Sequence, residues 1–304
     1  MRYLITLIIC SSLSLLACKS EVSNTQQPDQ STKVKVSIQD QGQQRIVSLS
    51  GFLTEVLYKL GYGDQIVGTD ITSVYPEAAA TLPKLGHVSQ LNAEAILQLR
   101  PDIIFIEQAQ VNRTAILDQI KDAGIAIVTI NTSRTLDNTL KAAKQLQGKL
   151  NISADKMEQL AMQMQLDSAK LVQQVAKSKE RPTVLFIYAR GAGRLMVSGT
   201  NTSAAAIIEK AGGRNAIQSF EDFKPLTPEA LIEAAPDVIL MFTSGLASLD
   251  GKEGLAQIKG IDQTPAFKND RIVAMDGHYL TAFGPRAAQA AIELSQRIMP
   301  KDSE

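Results

Sequence analysis

Leu91 to Glu107 reads LNAEAILQLRPDIIFIE, and Leu226 to Phe242 reads LTPEALIEAAPDVILMF. Superposed, they pair Leu91 with Leu226, Glu94 with Glu229, Ala95 with Ala230, Pro101 with Pro236 and Asp102 with Asp237. Each copy is a short amphipathic helix, then Pro-Asp, then a continuous apolar run suited to a strand buried on both faces of a parallel sheet. An offset of about 135 residues is far too long for a solenoid. The repeat therefore predicts an α/β chain of two similar lobes, each a mostly parallel sheet flanked by helices, with a cleft between them.

Strands and helices alternate around the first copy, as a doubly covered parallel sheet requires. Arg45–Ser50 reads as a strand, Phe52–Leu60 as a helix stopped at Gly61, and Ile66–Thr69 as a second strand. After the repeat, Asn112–Asp122 reads as a helix stopped by Gly124, and Ile125–Ile130 as a strand. From Ser153 to Lys179 there is neither Gly nor Pro, and Met157, Leu160, Ala161, Met164, Leu171 and Val175 recur at helical spacing. A helix of that length spans roughly 40 Å, the height of two stacked small domains. One stripe without a sustained heptad favours a helix packed along both lobes over a coiled coil, with Pro182 as its stop. The second lobe begins again with strand Thr183–Tyr188. It continues through helix Thr202–Lys210, the second copy, strand Arg271–Met275 and a helix after Pro285.

The N-terminus carries an address. Arg2 precedes an apolar run from Leu4 to Cys10, and Leu15-Leu16-Ala17-Cys18 closes it, the pattern of an export signal too short to span a membrane. That ending resembles a bacterial lipobox, with Cys18 as the lipidated first residue of the mature chain. Lys19 to Gln44 is rich in Ser, Gln, Thr and Asn and reads as a flexible tether. The expected division is signal peptide 1–17, tether 18–44, first lobe 45–150, linking helix 151–181 and second lobe 182–304. The protein is then extracytoplasmic, periplasmic or its equivalent, anchored through lipid. With Cys10 removed, no disulfide or thiolate metal site remains. Lys+Arg and Asp+Glu balance at 31 each, and no basic run marks a nucleic-acid partner. Trp is absent and aromatics are 5% of the chain, which argues against an aromatic box of the sugar-binding kind.

Arg45-Ile-Val-Ser-Leu-Ser, Thr54-Glu55, Leu60-Gly61, Tyr75-Pro76, Leu85-Gly86 and the Glu94–Asp102 unit together resemble the periplasmic solute-binding proteins of ABC importers. They are similar to the class whose lobes share one long helix, which takes cobalamin, ferric siderophores, haem or metal ions. A second series is similar to the haemin-binding members. It comprises Arg190-Gly-Ala-Gly-Arg194, Ser198-Gly199, Thr202, Ala211-Gly-Gly with Asn215, Lys224-Pro225-Leu226, Thr264-Pro265-Ala266 and Phe283-Gly284-Pro285-Arg286.

The resemblance implies capture of haemin in the inter-lobe cleft and delivery to a membrane permease, with cobalamin or a ferric siderophore as the alternative cargo. Haem needs an axial ligand, apolar walls and cations for its propionates. In the related haemin binders a tyrosine in the loop before the first repeat ligates iron, with an arginine two residues on. Here the pair is His87 and Ser89, so the resemblance places iron on His87 and leaves that arginine missing. Some relatives carry a histidine where Arg190 stands. Arginine pairs with carboxylate instead, so Arg190 or Arg194 is assigned to a propionate. Tyr188 and Tyr75 are candidate ligand contacts, against packing at a strand end and in a turn. His278 and Tyr279 read as rim residues, His278 being the rival to His87. Glu94 and Glu229 each suit helix N-terminal electrostatics. Matched in two lobes, they are also expected to meet arginines of the permease. The long helix predicts little lobe closure on binding.

Enzyme signatures are missing. The chain has no Gly-x-Ser-x-Gly, P-loop or His-Glu-x-x-His, and its two histidines are not at metal spacing. Gly191-Ala-Gly193 lacks the third glycine of a dinucleotide loop. The expectation is a binding protein, with haem as cargo.

Overall fold

The computed structural model describes residues 43–299. The signal, Cys18 and nearly all of the tether lie outside the described residues. In the first lobe, β1 (Ile46–Ser48), β2 (Ile66–Thr69), β3 (Ile103–Glu107) and β4 (Ala126–Ile130) form one sheet in the order β2-β1-β3-β4, parallel throughout. The second contains β5 (Thr183–Ala189), β6 (Leu195–Ser198), β7 (Arg214–Asn215), β8 (Phe223–Pro225), β9 (Val238–Phe242) and β10 (Ile272–Met275). Its order is β10-β9-β5-β6-β8, with β7 beside β5. Here β10, β9, β5 and β7 run parallel, β6 pairs antiparallel with β5 and β8 antiparallel with β6, so this sheet is mixed.

The continuous apolar strands divide by alternation. Along β3, Ile103 and Phe105 enter one core while Ile104 and Ile106 enter the core on the opposite face. Along β5, Val184 and Phe186 go one way, and Leu185, Ile187 and Ala189 the other. Period-two side chains with helices on both faces explain why the centres of both strands, Ile103–Ile106 and Val184–Ile187, are apolar throughout.

The repeat has a structural cause. Asp102 Oδ2 accepts a hydrogen bond from the backbone N–H of Arg45 at 2.7 Å, and Asp237 Oδ2 accepts one from Thr183 at 2.7 Å. In return, the Asp102 and Asp237 backbone N–H groups donate to the carbonyls of Arg45 and Thr183. Each Pro-Asp clips the start of the neighbouring strand, satisfying a backbone group the ladder has not reached.

The linking helix, Ala154–Val175, is capped by Ser153 and has 22 residues, about 33 Å. Leu160 and Met164 pack into the first lobe and Leu171 into the second. It is shorter than its sequence suggests, because the chain turns at Ala176 through Glu180, where the Ser178 hydroxyl accepts from the Glu180 N–H, before Pro182 is reached. The expected helix over 112–122 is also corrected. Gln108–Val111 and Leu117–Asp122 are separate helices, and Thr114 Oγ1 donates to the Gln110 carbonyl in the break. A further helix, Asn138–Gln147, buries Ala142, Ala143 and Leu146 against the first sheet.

Candidate functional site

Three adjoining cavities of about 530, 790 and 720 Å³ lie between the lobes, close to the carboxyl ends of the central strands. That is where open α/β sheets place ligands. Thr281 lines all three, so they are compartments of one cleft.

The first compartment holds His87. Beyond β2 the chain returns so that Lys84 bridges beside Thr69, and Gly86, at φ 96°, turns the backbone out of that bridge. His87 follows, exposed, with Nδ1 2.7 Å from Ser89 Oγ and accepting the Ser89 backbone N–H at 3.3 Å. This leaves Nε2 without a protein partner among the described residues. Asp70, Glu107, Arg134 and His278 are the other titratable or charged residues of this compartment.

The second compartment is walled by the second lobe. Phe186 and Phe242 meet edge to face at 4.9 Å, and Tyr188 packs against Phe242 at 6.0 Å and Phe223 at 6.3 Å. Phe223 is 39% exposed, and all four rings line the cavity. Four aromatic rings thus wall one compartment, a feature the composition did not disclose. Around them stand Arg113, Arg134 and Arg194, against one acid, Asp222.

The third compartment lies across Tyr188, between Val74 of the first lobe and Arg190 of the second. Arg190 is held with its guanidinium 5.6 Å from the centre of the Tyr188 ring. The loop carrying both arginines is a hairpin between β5 and β6, closed by Arg190 N–H to the Arg194 carbonyl, not a strand-to-helix phosphate turn. It splays the two arginines into different compartments.

His278 is not a rim residue. It sits in the short helix Gly277–Thr281, 16% exposed in its side chain, and faces two compartments. Its ring packs on Gly51, where a Cβ would lie 2.5 Å from Cε1. Nε2 lies 3.0 Å from Glu55 Oε1, at ion-pair range, though the ring N–H is not aimed well enough for a hydrogen bond. Glu55, 4% exposed, is bound bidentately by Arg286 across the lobes at 2.9 and 2.5 Å. Burial pushes the Glu55 carboxyl up, but Arg286 and then His278 outweigh it, and its pKa lies below the ordinary glutamate value. Tyr75 belongs to this clamp. Its ring lies 3.7 Å from the Arg286 guanidinium, with Tyr279 at 4.8 Å, and it does not line the three compartments.

Glu94 and Glu229 are exposed in the first turns of matching helices, capped by Asn92 and Thr227. Neither carboxylate forms an ion pair among the described residues.

A family described as periplasmic binding protein matches residues 46–279. The chain belongs to the periplasmic binding protein family. Among solved structures it is similar to the periplasmic heme-binding protein RhuT from Roseiflexus sp. RS-1 in apo form. The two are 36% identical over 84% of this chain and 98% of that one, with a TM-score of 0.79. It is also similar to YvrC of Bacillus subtilis, an uncharacterized ABC transporter substrate-binding lipoprotein, 27% identical over 84% of this chain and 80% of the relative. A vitamin B12-binding protein of Vibrio parahaemolyticus is 24% identical over 83% of this chain and 88% of its own length. This periplasmic binding protein is thus an extracytoplasmic solute-binding component of an ABC importer, in the cobalamin, siderophore and haem class, working with permease subunits. Its family is not one of enzymes.

The sequence did not single out Arg113, Arg134 or the pairing of Glu55 with Arg286. Glu55 and Arg286 stood in recognisable motifs, but their 231-residue separation gave no sign of contact.

Proposed function

We propose that this protein captures haemin in its inter-lobe cleft and delivers it to the permease for haem and iron uptake, anchored by lipid on Cys18. The observation that carries this reading is the four-ring aromatic wall surrounded by guanidiniums, beside an imidazole whose Nε2 is free. A porphyrin face needs the first, propionates the second and iron the third. His87 is the iron ligand through Nε2, with the Ser89 hydroxyl and backbone N–H beside Nδ1 orienting the ring, as partners of metal-bound histidines do. Arg190 and Arg194 serve propionates, and Tyr188 supplies a wall face between them. Tyr75 acts on the site through Arg286. The lobes are drawn at 45–150 and 182–304, and Glu94 and Glu229 are the permease contacts, one from each.

Haemin titration of soluble protein beginning at Lys19, beside His87→Ala, tests the reading. A saturable Soret shift, altered or weakened in the variant, supports haem with iron on His87. No shift in the wild type overturns haem. A shift indifferent to the substitution moves the ligand to another side chain. Cobalamin is the second reading, favoured by the likeness to vitamin B12-binding proteins.

A further inference from the structure

Arg134 differs from the other cleft cations in what holds it. Its Nη1 donates to both the backbone carbonyl and the side-chain Oδ1 of Asn201, at 2.8 and 2.9 Å, crossing from the first lobe to the second. Asn201 has φ 57°, the left-handed conformation asparagine tolerates, and turns both oxygens to one nitrogen. Both acceptors are neutral, and no acid pairs with Arg134 among the described residues. Its backbone is fixed nearby. The Asn131 N–H donates to Gln145 Oε1 and the Ser133 N–H to the buried Asn138 Oδ1. Only the side chain is at liberty to change partner. Arg134 lines both the His87 compartment and the aromatic one.

We infer that Arg134 is an exchangeable strap that selects carboxylate-bearing macrocycles over amide-bearing ones. A guanidinium meeting an ionised carboxylate gains a charge–charge attraction, and two parallel bonds, that a neutral oxygen cannot offer. An ionised carboxylate on the cargo therefore displaces Asn201. A neutral amide offers only what Asn201 Oδ1 already provides, so the amide rim of a corrinoid gains nothing from the exchange. This rests on the tetrapyrrole reading above and names the chemistry that divides its two candidate cargoes.

The test is absorbance titration of the soluble chain and its Arg134→Gln variant, each with haemin and with haemin dimethyl ester, whose carboxylates are masked. The expected result is about a tenfold loss of haemin affinity in the variant with ester binding unchanged. Equal loss of both ligands makes Arg134 a structural clasp and overturns the inference, as does no loss of either. Asn201→Gly, which keeps the left-handed backbone and removes one competing acceptor, is expected to tighten haemin about two- to threefold. Weakening there overturns exchange. An absent wild-type Soret shift overturns the haem reading itself and this inference with it. A normal wild-type shift with an unresponsive variant overturns the inference alone.

Discussion

Burial pushes the Glu55 carboxyl toward a higher pKa, and Arg286, reaching it from the other lobe, outweighs that and holds it below the ordinary value. Removing one partner strands the other, which for well-buried pairs costs roughly 3–5 kcal/mol. Arg286 retains 19% exposure, so Glu55→Gln is expected to lose about 2–3 kcal/mol by urea denaturation at pH 7. The pH sign follows from the depressed pKa. The contribution of Glu55 is fully present above its unfolded pKa of about 4.3 and disappears as pH falls through the lower folded value. Wild type should therefore lose stability more steeply than Glu55→Gln as acid is added below about pH 4. His87 yields a separate prediction. Ser89→Ala removes the side-chain partner of Nδ1 and keeps the backbone one, and should weaken haemin by up to about tenfold while leaving a Soret band, since the ligand itself remains. His87 was singled out through the family resemblance, which pointed to the loop before the first repeat, and not through its position alone. The Arg134–Asn201 and Glu55–Arg286 contacts could not be read, because pairs 67 and 231 residues apart leave no local periodicity or spacing.

At the scale of elements, the repeated Pro-Asp was legible as a pattern, but its purpose emerged only when Arg45 and Thr183 were placed beside it. The Asp237→Ala substitution should lower stability by about 1–2 kcal/mol, and Asp102→Ala by about 1 because its surroundings are wetter. Two urea titrations check this, and a larger loss at Asp102 would contradict the equivalence of the clips. The strands with continuous apolar runs were readable because alternation hides inside burial on two faces. Strands β6 and β8, four and three residues long, were not read from the sequence. The β5–β6 hairpin was obscured by glycines that could equally begin a helix. In the linking helix, Leu171→Ala leaves a hole in the second core and should cost about 2–5 kcal/mol.

For the whole molecule, lobe geometry is held in several places. The linking helix packs into both cores, Arg286 grips Glu55, and Asn138 Nδ2 donates to the Phe283 carbonyl at 3.3 Å. Small-angle scattering should accordingly show nearly the same radius of gyration with and without haemin, and a marked contraction would contradict a stiff frame. Glu94 and Glu229 act at this scale too. Reversing both to Lys should abolish haemin uptake through the permease while the Soret titration stays unchanged, and unaltered uptake would remove them from the docking surface. The paired clips carry a last consequence, for synthesis. Asp102 meets Arg45 after 57 residues, and Asp237 meets Thr183 after 54. Loop-closure entropy varies only with the logarithm of length, so both circuits close at nearly equal entropic expense. A chain emerging N-terminus first can thus seal one half before the other exists, and then repeat the same step on the same schedule.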